Sequence, residues 1–160
     1  MIIRAAAPDD FESIAALVAT AFGRPDEARM VDEARAGGHA LVEFVAVEED
    51  EILGHVLFNR MICQPALLIA GLAPLAVSPP RQGQGVGTAL AGHGLEACRA
   101  VGARGCVVLG APAYYDRFGF TAAPNTVRSP YAGLPAFQTL EFEPGVFGRP
   151  IAIAYPPVFD

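Results

Sequence analysis

The 160-residue sequence predicts an α/β (α+β) fold, a mixed central sheet with helices on both faces. Three observations carry that prediction. Strand-like and helical periodicities follow one another in the order β-α-α-β-β-β-α-β-α-β-β. Two adjacent apolar runs, "ALVEFVAVEED" and "EILGHVLFNRMI", meet at an acidic turn, as the arms of an antiparallel hairpin do. Finally, "LAVSPPRQGQGVGTAL", Leu75 to Leu90, sets three glycines at alternate positions between a strand and a helix.

The elements follow from local pattern. "MIIRAA" is a short first strand. In "APDDFESIAALVATAF", Asp9 and Glu12 form a capping-box pattern, and Phe11, Ile14, Leu17, Val18, Ala21 and Phe22 recur at helical spacing. "RPDEARMVDEARAGG" predicts a second helix, with Pro25 at its start and Gly37-Gly38 at its end. The acidic run Glu48 to Glu51 is a solvated hairpin turn. "ALLIAGLAPLAV" is a strand interrupted near Pro74. From Gly85 to about Val101, residues Val86, Ala89, Leu90, His93, Ala97, Cys98 and Val101 share a helical face, which makes His93 a packed, hydrogen-bonded histidine. "GARGCVVLGAP" is a buried strand, and "PAYYDRFGF" is a short helix ended by Gly119. "FQTLEFE" and "RPIAIAY" are the last strands. No linker or repeat interrupts the chain, so residues 1-160 read as one domain.

Composition narrows the function classes. The net charge is -6, and all 11 basic residues are arginine. No basic stripe or aromatic-basic interleaving supports nucleic-acid binding. The longest apolar run, "PALLIAGLAPLAV", is too short to span a bilayer, and "MIIRAAAPDDFES" lacks the features of a secretory signal, so the expected location is cytoplasmic. Cys63, Cys98 and Cys106 fit neither a disulfide framework nor a metal-ligand spacing and read as small core residues. With His39, His55 and His93 equally scattered, no metal is expected.

The glycine stretch is the functional signal. A mononucleotide loop of the G-x-x-x-x-G-K-[ST] kind needs a lysine, and this chain has none. The dinucleotide pattern G-x-G-x-x-G fails because its third glycine position, counted from Gly83 or Gly85, holds Thr88 or Leu90. Two readings remain: a strand-to-helix connection that uses glycine for φ > 0, or a phosphate cradle of bare amides at a helix N-terminus.

The residues then resemble a known family. Gln82-x-x-Gly85-x-Gly87 matches the Q/R-x-x-G-x-G/A signature of the GNAT superfamily of N-acetyltransferases, and "LAPLAVSP" resembles that family's fourth strand. About thirty residues on, "AYYDRFGF" is similar to its Y-x-x-x-G-F segment, with Tyr115, Gly119 and Phe120 on the matching positions. "PLAV", "VVLGAPAYYDRFGF" and the proline-rich tail look most like the YhbS-like branch. The motifs cover Leu75 to Phe120. The resemblance implies a GNAT fold whose fourth strand bulges and splays from the fifth, and acetyl-CoA as cosubstrate without a metal. Leu75, Ala76 and Val77 would pair with the pantetheine arm. Gly83, Gln84, Gly85, Val86, Gly87 and Thr88 would hold the pyrophosphate through backbone amides, with Gln82 either contacting it or bracing the loop.

The implied reaction is direct acetyl transfer to a neutral primary amine, which requires removal of a proton from the ammonium form. A thiol pKa of roughly 8.5 means that the departing CoA thiolate benefits from a hydrogen-bond donor. Tyr115 matches the family's general-acid position, where it would transfer a proton, hydrogen-bond the sulfur alone, or merely pack. Its neighbour Tyr114 should point elsewhere and pack. The asparagine that many members place before this tyrosine is missing from "VVLGAPA". No glutamate lies in "IAGLAPLAV", and the polar candidates Glu43, His55, Asp116 and Glu141 leave the base unassigned. Phe22, Arg24, Tyr131 and Phe137 are candidates for lining an acceptor pocket. The partner is then a small-molecule or peptide amine, with homodimerisation open. The alternatives are a non-catalytic acyl-CoA-binding or sensing module on the same fold, and a structural domain with no CoA affinity.

Overall fold

The computed structural model describes residues 1–157. Strand β1 (Ile2–Ala5) leads to helices α1 (Phe11–Phe22) and α2 (Asp26–Ala36). The hairpin β2 (Ala40–Glu48) and β3 (Glu51–Arg60) follows, then β4 (Ile62–Gln64) and β5 (Ile69–Val77). Helix α3 (Val86–Ala100) precedes β6 (Gly105–Leu109) and the single turn α4 (Pro112–Tyr115). The chain continues through β7 (Thr121–Ala122), β8 (Val127–Arg128), β9 (Phe137–Glu141) and β10 (Ile151–Ala154).

Seven strands form the main sheet in the order β1-β2-β3-β5-β6-β9-β7, with β5 and β6 parallel and the other pairs antiparallel. Alternation along the strands sends Phe44, Val56, Phe58 and Leu72 to the face covered by α3. Val45 and Ala76 meet Ile14 and Val18 of α1 on the other face, and Leu57 meets Val31 and Ala34 of α2. The mixed sheet with helices on both faces is therefore as expected.

The C-terminal strands correct the sequence reading. "RPIAIAY" does not join the main sheet; as β10 it centres a three-stranded sheet, β4-β10-β8. Ile151 and Ile153 bury against Ile69, Val107 and Phe147. The small sheet thus covers the part of the main sheet that α1 and α2 leave bare. Strands β4, β7 and β8 escape the periodicity test because two or three residues cannot show a period.

Three local expectations are also corrected. The Asp9–Glu12 capping box does not form. Instead Asp10 accepts the Ala7 N–H at 2.8 Å and a forked pair from Arg4 at 2.7 and 2.9 Å, which together hold its carboxyl at about 2. His93 is exposed on α3, edge-on to Phe44 at 4.6 Å rather than packed and hydrogen-bonded. The acidic turn is not wholly free in solvent, because Glu48 pairs with Arg81 at 2.6 Å and ties the hairpin to the glycine loop. Glu49 and Asp50 take left-handed φ of 51° and 64° to close that hairpin.

The interruption in β5 is a bulge. Phe58 pairs with Leu72 but Val56 pairs with Leu75, so one extra residue is inserted around Ala73-Pro74. Proline has no N–H for the ladder there. The displaced Ala73 carbonyl accepts a hydrogen bond from the buried Asn59 Nδ2 at 2.9 Å.

Candidate active site

Two discontinuities in the backbone meet at one place. Strands β5 and β6 pair only from Ile69↔Gly105 to Leu72↔Val108, after which Leu109 pairs with Phe137 of β9. Beyond the bulge, Leu75, Ala76 and Val77 remain paired with β3 on one side and, among the described residues, have no strand on the other. The second discontinuity is the head of α3. Gly83 and Gly85 adopt left-handed φ of 75° and 88°, and an added Cβ at either would meet nothing within 4 Å. The first amide past the glycine turn to find an acceptor is that of Ala89, which donates to Gly85 O at 3.0 Å. Those of residues 83–88 find none among the described residues. These amides form the positive end of a 15-residue helix.

Both features open onto one groove of about 470 Å³. Leu75 and Val77 form its strand wall; Gly83, Gly85, Val86, Gly87 and Thr88 form its loop and helix wall. Gln82 also borders it, and its Nε2 donates to Val77 O at 3.0 Å, bracing the loop against the strand end. Of the ten residues predicted for cofactor binding, Ala76 and Gln84 are outside this wall. Ala76 turns its side chain toward α1, and Gln84 donates to Pro80 O at 3.2 Å.

Sequence reasoning missed three residues of the groove: Arg81, Tyr114 and Arg117. Tyr114 points away from Tyr115 as expected, but instead of only packing it sets its hydroxyl 3.1 Å from Thr88 Oγ1 across the groove. Arg117 donates to Tyr114 O at 2.8 Å and to Thr88 Oγ1 at 3.3 Å, with its guanidinium 4.2 Å from the Tyr114 ring centre. Arg81 stood in the sequence beside Gln82, but nothing in a periodic pattern distinguishes it from a solvated arginine.

Tyr115 sits on the other side of α4, in the wall of a second cavity of about 270 Å³. Leu75 borders both spaces, so they adjoin where β5 leaves β6. Burial, with smaller contributions from Tyr114 and Cys106, pushes the Tyr115 hydroxyl up to about 12. An added Cβ on Gly110 would lie 2.4 Å from Tyr115 Cε2, so the glycine in "VVLGAPA" gives the ring its seat. Gly110→Ala is expected to displace that ring and lower turnover about 10- to 100-fold, measured as kcat.

The four candidate bases lie in neither cavity wall. Asp116 is exposed, and Glu141 accepts the Gly145 and Phe147 amides at 3.1 Å each. Glu43 accepts from Arg35 at 2.6 and 2.9 Å and lies 2.7 Å from His55 Nε2 inside the α1–α2 face. Burial opposes the charge on Glu43, and hydrogen bonds from His55 and Arg35 overcome that cost, bringing its carboxyl down to about 2. A carboxyl lowered from 4.5 stabilises the fold above the unfolded value and loses that contribution as pH falls toward 2. Acid unfolding should therefore show a loss on the order of 3 kcal/mol over that window. Glu43→Gln should be less stable at pH 7 and flatter between pH 4.5 and 2.

Of the suggested acceptor-pocket residues, Phe22 lines the second cavity, and Tyr131 lines an adjoining space of about 120 Å³. Phe137 is buried at 1% exposure beneath them, and Arg24 stands outside the wall. Among the described residues, no helix is long and apolar enough to cross a membrane, and no group of three metal-ligating side chains comes together. Cys98 and Cys106 are buried and Cys63 is half-buried.

Comparison with known proteins places this geometry. Residues 11–120 match the model of the Acetyltransferase (GNAT) family. The chain is 36% identical over 142 residues to the uncharacterized N-acetyltransferase YhbS of Escherichia coli strain K12, covering 86% of this chain and 85% of that one. A crystal structure of Escherichia coli YhbS in complex with CoA superposes with a TM-score of 0.92 at 32% identity, over 99% of this chain and 91% of that one. A Brucella melitensis GNAT acetyltransferase in complex with acetyl-CoA gives 0.86 at 35%, over 99% and 97%. The bulged strand, the glycine turn and these matches agree: the chain belongs to the GNAT family of acetyltransferases.

Proposed function

We propose that this protein is an acetyl-CoA-dependent N-acetyltransferase that moves the acetyl group to a primary amine by direct transfer in a ternary complex. The observation that carries the reading is the joining of the free edge of β5 and the unpaired amides of residues 83–88 in one groove. That groove fits an anion followed by an amide-bearing arm, since unpaired amides bind phosphate oxygens and a free strand edge pairs with peptide-like groups. Similar proteins have been crystallised with CoA or acetyl-CoA, which supports the assignment.

In this reading, Gly83 through Thr88 hold the pyrophosphate by backbone N–H groups, and glycine keeps side chains out of its path. Gln82 fixes the loop to β5. Arg81 and Arg117 add positive charge at the groove. Leu75, Ala76 and Val77 align the pantetheine arm, so the thioester arrives beside Tyr115. Acetyl-CoA supplies the activated acetyl group. Tyr115 donates a hydrogen bond to the sulfur as its charge develops. With a pKa near 12, the hydroxyl remains protonated throughout the working range. Full proton transfer to a thiolate of pKa roughly 8.5 is uphill, which favours the hydrogen-bonding role.

A second reading, a non-catalytic acyl-CoA-binding module, is favoured by one observation: none of the four candidate bases borders either cavity. The two separate by assay. Acetyl-CoA is incubated with representatives of small aliphatic amines, aminoglycosides, peptide N-termini and lysine peptides, and thiol release is compared with N-acetyl product by mass spectrometry. The transferase reading expects equal amounts of both with at least one class. Tight acetyl-CoA binding without product from any class establishes the binding module.

A further inference from the structure

The second cavity carries information about the acceptor. Its wall is apolar from Phe22 and Met30 on the helical side to Leu72, Pro74 and Leu109 on the strand side. Besides Tyr115, a single ionisable group interrupts it: Glu27, the second residue of α2. The Glu27 side chain is only 12% exposed. Arg24, itself 61% exposed and outside the wall, holds the carboxylate from the solvent side. Arg24 gives Oε1 two short bonds, at 2.8 and 2.5 Å, but gives Oε2 a single longer one at 3.1 Å. The ion pair therefore fixes the carboxylate and leaves accepting capacity on Oε2.

A fixed carboxylate in an otherwise apolar wall recognises one cation on an apolar body. The adjoining space beside Tyr131 and Tyr155 shares Leu72, Ala73 and Leu109 with this cavity and extends the apolar surface. The remaining boundary, at Leu75, faces the groove. We propose that this cavity selects a small primary monoamine with an apolar or aromatic body, and that Glu27 is the specificity-determining residue that holds its nitrogen. A polycation would find one carboxylate and no second one among the described residues of the wall. Glu27 concentrates and orients the amine, and the proton that the nitrogen must lose leaves to water.

This inference rests on the transferase reading, so its test carries a separate control. 2-Phenylethylamine, its uncharged analogue 2-phenylethanol and spermidine are titrated calorimetrically into the CoA-loaded protein. The variants are Glu27→Gln and Arg24→Gln, each checked by thermal unfolding and by acetyl-CoA affinity. The proposal expects the monoamine to bind more tightly than the alcohol and than spermidine. Glu27→Gln should lose about 10-fold or more in monoamine affinity, seen as a raised KM with little change in kcat. Arg24→Gln breaks the same ion pair and frees the carboxylate to move but keeps its charge, and should lose clearly less amine affinity than Glu27→Gln. Equal loss in both variants shows that the pair is only structural and overturns the proposal. So does undiminished amine binding in Glu27→Gln, or equal affinity for the alcohol. If wild type fails to bind acetyl-CoA, the transferase reading itself fails, an outcome visible before any amine is added.

Discussion

Gly85→Glu should abolish acetyl-CoA binding in a protein that still folds. The residue has φ of 88°, so any L side chain there carries a strain of roughly 1–2 kcal/mol. The added Cβ meets no protein atom within 4 Å, so the strain is not compounded by a clash. The carboxylate instead projects into the groove between the amides of residues 83–88. A like-charge contact with the pyrophosphate at 4 Å costs about 4 kcal/mol at an effective dielectric of about 20, equivalent to a loss of about 10² to 10³ in affinity. Gly85→Ala supplies the control, because it carries the same backbone strain without charge and should lose much less. Calorimetric titration reads both. Affinity in Gly85→Glu within about threefold of wild type would remove the glycine turn from the binding site.

The second large effect is expected at Tyr115. In the proposed mechanism Tyr115→Phe removes the donor to the developing charge, and losses of about 10²- to 10³-fold in kcat are usual for such a donor. The ring remains seated against Gly110 and near Phe120, so the fold and acetyl-CoA affinity should change little. The pH profile adds a check. Since the Tyr115 pKa is pushed up to about 12, chiefly by burial, any alkaline decline in wild-type rate below about pH 11 belongs to another group. Turnover within about threefold of wild type would reduce Tyr115 to a packing residue.

The sequence made these positions visible to different degrees, for physical reasons. The glycine turn was legible because left-handed backbone favours glycine, and that requirement is written directly as Gly83 and Gly85. The bulge was legible at Pro74, which cannot donate in a ladder. Tyr115 was singled out by the resemblance of "AYYDRFGF" to the family's Y-x-x-x-G-F segment. Tyr114 was rightly expected to face different surroundings from Tyr115, but nothing local showed that those surroundings are the groove. Helix α4 stands between the groove and the cavity and faces each with one ring. The rings meet edge to face at 4.9 Å. Glu27 was hidden for a different reason: on a helix rich in charge, nothing local separates a carboxylate in a cavity wall from one in solvent. The small sheet was illegible because its strands pair across long loops, a tertiary choice that short segments do not encode.

Hydrogen–deuterium exchange with and without acetyl-CoA reads the very backbone amides to which binding is assigned. Protection is expected to concentrate at residues 75–77 and 82–88 and to be absent from Gly85→Glu under the same conditions. Protection elsewhere, with residues 82–88 exchanging at the unliganded rate, would contradict that assignment.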